Sequence, residues 1–142
     1  MKIRISALLG ASVMASLAAF PAMADGITVE DAYARSSNPR AGAAFMIIRN
    51  TGAADRLIAA RADIARRVEL HTHLEENGVM KMREVIAIDL PTDSEVELKR
   101  GGLHVMFMGL SDPMEDGERF PLTLVFQSGD EVTIDVPVDL SR

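Results

Sequence analysis

The sequence predicts an all-β fold, a sandwich or barrel built from many short strands. Three observations carry that expectation. Short segments alternate apolar and polar residues or run continuously apolar, turn-forming residues separate them at close intervals, and helical periodicity is missing from the domain.

Residues 1–24 stand apart. Lys2 and Arg4 precede the apolar run SALLGASVMASLAAF, and Ala22-Met23-Ala24 gives an A-x-A cleavage pattern before Asp25. A secretory signal is therefore expected over 1–24 and a single mature domain over 25–142. The run is short and interrupted by Gly10, Ser12 and Ser16, which argues against a membrane span. ITVEDAYAR (27–35) alternates as a strand until SSNPRAG breaks it with Asn38-Pro39 and Gly42. AAFMIIRN (43–50) is a mostly apolar strand ending at Asn50-Thr51-Gly52, with Met46 expected in the core. DRLIAARAD (55–63) reads as a strand, although its alanines tolerate helix. RRVELHTH (66–73) alternates, with Val68, Leu70 and Thr72 on one side and Glu69, His71 and His73 on the other. LEENG is a turn, and VMKMREVIAIDL (79–90) is the strand that leaves it, closed by Pro91-Thr92-Asp93. EVELK (95–99) and the turn Arg100-Gly101-Gly102 lead into LHVMFMGL (103–110). After a polar loop from Ser111 to Gly117, PLTLVFQ (121–127) and EVTIDVPV (131–138) form a hairpin around Ser128-Gly129-Asp130.

Composition narrows the chemistry. No cysteine occurs, which excludes thiolate zinc sites, thiol–disulfide exchange and the His₂Cys blue-copper centre. The formal net charge of −6 becomes about −8 without Lys2 and Arg4, because residues 1–24 hold no Asp or Glu. That balance argues against nucleic acid and anionic lipid as partners.

All three histidines and four of the nine methionines fall between His71 and Met108, in the patterns H-x-H, M-x-M and H-x-M-x-M. Residues two apart on a strand share a face, so each cluster aims its imidazoles and thioethers one way. A strand methionine is usually core filler, and a lone histidine is more often a surface residue than a ligand. Their combination points to a metal, and imidazole with thioether in a chain without thiols suits copper better than zinc, iron or magnesium. The register of the hairpin stays open. A four-residue loop, Glu75 to Gly78, sets His73 opposite Met80 and His71 opposite Met82; a three-residue loop with a glycine bulge shifts this by one. His73, Met80 and Met108 are in phase with the ligand candidates and fit a supporting shell, an access path, or plain packing. No Ser/His/Asp or paired-carboxylate constellation is apparent, so an enzyme is not expected.

His71, ten residues, Met82, twenty-one residues, then His104-x-Met106 resembles the motif of the PCu(A)C family of periplasmic copper chaperones. RVELH, GVMKM and GGLHVMFMGL agree around it, and the likeness runs from about Asp31 to Val138 through AAFMIIRNTGAADRL and PLTLVF. The resemblance implies a cupredoxin-like Greek-key β-sandwich with a Cu(I) site near its surface formed by His71, Met82, His104 and Met106. It further implies a periplasmic carrier that delivers copper to the binuclear copper centre of cytochrome c oxidase, directly or with a Sco-type partner; a monomer is expected. A copper buffer serving tolerance would use the same ligands. Two departures stand out: Arg100 replaces a common proline before the two glycines, and the chain ends at Leu140-Ser141-Arg142 without a His/Met-rich tail.

Overall fold

Buried positions recur at every second residue along the strands. In the last strand Val132, Ile134 and Val136 are buried while Glu131, Thr133 and Asp135 are exposed, the period of a sheet with one wet face. The computed structural model describes residues 22–24 and 26–142. The strands are β1 (Ala22–Ala24), β2 (Ile27–Asn38), β3 (Ala41–Asn50), β4 (Asp55–Arg61), β5 (Ala65–Glu76), β6 (Val79–Glu84), β7 (Ile88–Leu90), β8 (Ser94–Leu98), β9 (His104–Leu110), β10 (Arg119–Phe126) and β11 (Glu131–Pro137), with no helix among the described residues. Apart from Ala22–Ala24, the segment expected as a signal lies outside the described residues.

Two antiparallel sheets form. The larger runs β1-β2-β3-β9-β5-β6, with β8 also on β3, and the smaller runs β11-β10-β4-β7. β3 changes partner along its length, from β9 at Ala41–Ala44 to β8 at Met46–Asn50. The facing sides bury Ile48, Leu57, Leu70, Val105, Phe107, Leu122, Leu124 and Phe126, and Met46 joins this core as expected. Phe107 and Phe120 meet edge to face with centroids 5.4 Å apart, a favourable ring geometry. The buried Asn50 amide donates to the carbonyls of Ala53 and Leu90, and its oxygen accepts from Gly52 N–H, so no polar atom of that side chain is stranded.

The all-β expectation holds, with two corrections. VMKMREVIAIDL is two strands in two sheets: β6 is exposed along its whole length, whereas Ile88 and Leu90 of β7 are buried in the other sheet. The chain crosses between them at 85–87, where Val85 N–H bonds to the Leu70 carbonyl and Ile86 stands 87% exposed. A continuous apolar run conceals such a crossing. The second correction is the β5–β6 loop, which is two residues long. Asn77 (φ 53°) and Gly78 (φ 78°) both adopt left-handed backbone, the arrangement of a type I′ turn, which favours Asn-Gly. Glu76 therefore opposes Val79, His73 opposes Met82 and His71 opposes Glu84. Neither register considered from the sequence is the one adopted.

Candidate metal centre

Alternation in β5 and β9 turns Leu70, Val105 and Phe107 into the core and leaves Glu69, His71, His73, His104 and Met106 on the outer face of the larger sheet. The two strands are adjacent, and their register sets His71 directly opposite His104 and Glu69 opposite Met106. β6 flanks β5 on the other side and brings Met82 opposite His73. Directly opposed residues have Cβ atoms about 4.5–5.5 Å apart. Three strands thus bring all four expected ligands to one face.

The outer face is not simply wet there. His104 is 2% exposed and His71 9%. Phe45 of β3, itself buried, lies 6.1 Å from the His104 ring between centroids, and Tyr33 of β2 stacks behind Phe45 at 5.2 Å. The Arg142 guanidinium covers Tyr33 at 3.9 Å and pairs with Asp31, so the C-terminal residues pack onto this side of β2.

Hydrogen bonding assigns the ring nitrogens. His104 Nδ1 lies 2.9 Å from the Gly102 carbonyl, which can only accept; Nδ1 therefore carries the proton and Nε2 keeps its lone pair. His71 Nε2 lies 2.8 Å from Glu69 Oε2. The hydrogen bond from His71 holds the Glu69 carboxyl below the usual carboxylate range, with Arg67 adding to the effect, so this oxygen is also an acceptor, Nε2 carries a proton, and Nδ1 is the nitrogen that can hold a lone pair. His71 Nδ1 and His104 Nε2 are buried with no hydrogen-bond partner among the described residues, and so is His73 Nδ1. Buried polar atoms normally find partners. Three imidazole nitrogens that all lack one, on neighbouring positions, suit electron-pair donation to a metal ion. Burial, reinforced by the nearby His73 and His71, lowers the His104 pKa despite the Gly102 bond, which keeps the ring neutral as a ligand must be.

A cavity of about 240 Å³ opens on this face, lined by His73, Met82, His104 and Met106 together with Phe45, Arg35 and Arg100. His71 is not on its wall; its ring is hydrogen-bonded to Glu69. Met82 is 45% exposed, the most open of the four expected ligands. Met80 opposes Glu75 and is 57% exposed, while Met108 lies between Arg67 and Ala41; neither lines the cavity. Among the described residues no three His, Cys, Asp or Glu side chains are placed to hold an ion on their own, so a site here needs the sulfurs. The part played by Glu69 was not read from the sequence; its signal was its place two residues before His71, in phase with it.

The family model described as "Putative lipoprotein LpqE-like" matches residues 27–138. The "Putative lipoprotein Lxx21020" of Leifsonia xyli subsp. xyli (strain CTCB07) is 33% identical over 117 residues, covering 81% of this chain and 70% of the relative. Among solved structures, the copper-bound PCuAC domain from PmoF2 aligns with a TM-score of 0.70 at 28% identity, over 85% of this chain and 99% of that one. The solution structure of CuI-DR1885 from Deinococcus radiodurans aligns at 0.60 with 28% identity, over 80% and 79%. These likenesses bear out the expected cupredoxin-like β fold.

Proposed function

The chain belongs to the LpqE-like family of PCu(A)C type, and on that premise we propose that it is a periplasmic Cu(I) carrier holding its cargo with His71 Nδ1, Met82, His104 Nε2 and Met106. The observation that carries this reading is the set of buried, unpartnered imidazole nitrogens beside two thioethers on one face. Soft neutral donors favour Cu(I) and add no charge to it. Related domains are described as copper-bound, one of them as the Cu(I) form.

Delivery follows from exposure. Met82 reaches solvent while His104 does not, so an acceptor's thiolate or imidazole displaces Met82 first while the remaining donors retain the ion. The acceptor in this reading is the binuclear copper centre of cytochrome c oxidase, alone or with a Sco-type protein. The chain carries no catalytic step of its own. Cleavage after Ala24 would release the domain and remove β1 with the signal.

Cu(I) titration against a competing chelator tests the site. Wild type should take one equivalent, and His104→Ala and Met106→Ala should each lose high-affinity binding; unchanged binding in either places the ion elsewhere. Mixing the loaded protein with the apo copper domain of the oxidase separates the two uses of such a site. Movement of copper supports delivery, and tight retention supports buffering.

A further inference from the structure

The four-donor site leaves one imidazole unexplained. His73 Nδ1 is as free of partners as the corresponding atoms of His71 and His104. The two-residue turn sets His73, rather than His71, directly opposite Met82. His73 lines the cavity with Met82, His104 and Met106, whereas His71 does not. Its ring centroid is 5.4 Å from that of His104, against 5.8 Å for His71. Exposure differs too: His71 is buried and tied to Glu69, while His73 is half-buried.

We infer that His73 is a fifth copper donor, an imidazole that replaces His71 as the ion passes from its buried position to the cavity. The inference rests on the four-donor reading. In the step, a lone pair on His73 Nδ1 forms a bond to Cu(I) as the bond from His71 Nδ1 breaks. Donor number and charge are conserved, and no proton or electron moves. His104 and the thioethers hold the ion throughout. The two histidines are two residues apart on one face of β5, about 6.6 Å along the strand, so the displacement is short.

Titration with Cu(I) in competition with bicinchoninate, on wild type, His71→Ala, His73→Ala and the double variant, tests this. Circular dichroism first establishes that each is folded. His71→Ala should still bind one equivalent, about 10–100-fold more weakly, the usual scale for a perturbed metal shell; the double variant should bind none tightly. His73→Ala should release Cu(I) to excess chelator about 10-fold more slowly than wild type. If His71→Ala alone is as empty as the double variant, or if release from His73→Ala is as fast as from wild type, the inference is overturned. Failure of wild type to take one equivalent overturns the four-donor reading beneath it.

Discussion

At His71 and His104 the neighbouring acceptors decide which ring nitrogen is free, and they do so differently. His104 is set by a main-chain carbonyl two residues back, which no side-chain substitution removes. His71 depends on Glu69, which also pairs with Arg67. Glu69→Ala should therefore release the His71 ring and weaken Cu(I) binding by about 10–100-fold. Glu69→Gln keeps an oxygen acceptor and should stay within a few-fold of wild type; ring ¹⁵N shifts of His71 report the tautomer directly. Acid acts through His104. Its folded pKa lies below the ordinary imidazole value of about 6.5, because burial disfavours the cation. Between those two values the unfolded chain binds a proton that the folded chain refuses, so stability is full above 6.5 and falls as pH drops toward the folded value. Urea midpoints of the apo protein should decline from pH 7.5 to 5.5, and the decline should shrink in His104→Asn.

The β5–β6 hairpin shows how far a sequence reading reaches at the level of an element. Which side His71, His73, Met82, His104 and Met106 face was legible, because the two-residue period of a strand is independent of its neighbours. Which residue faces which across the hairpin was not, because that depends on whether Asn77 and Gly78 both take positive φ. The same limit hid the break between β6 and β7, where exposed Ile86 sits inside an apolar run. The turn is consequently a handle on the site. A Cβ at Gly78 would meet nothing within 4 Å, so the cost of Gly78→Ala is conformational alone, about 1–2 kcal/mol for left-handed backbone. The variant should melt lower. Where the strain is relieved by a longer loop, Met82 leaves its place opposite His73 and Cu(I) affinity falls with it. Paired measurements of melting temperature and Cu(I) affinity check both effects.

Across the whole molecule the candidate site and the core lie on opposite sides of one sheet, joined through the same strands. Each of β5 and β9 divides its alternate residues between the core and the candidate site: Leu70 and Val105 inward, His71 and His104 outward. Stability and cargo binding should therefore separate. Phe107→Ala removes a fully buried ring and should cost about 3–5 kcal/mol, a large share of the roughly 5–15 kcal/mol that holds a domain together. His104→Ala sits behind Phe45 on the outer face and should leave the sandwich folded while emptying the site. Because Cu(I) would bind the folded chain by bridging three strands that the unfolded chain does not assemble, loading should itself stabilise. At free copper 100-fold above Kd the gain is about 2.7 kcal/mol, on the order of a 10 °C rise in Tm for a domain of this size. Scanning calorimetry of wild type with and without Cu(I), under reducing conditions, should show that rise. The same comparison on His104→Ala should show none, although its apo form unfolds cooperatively; an equal rise in that variant would mean that copper stabilises the protein from some other place.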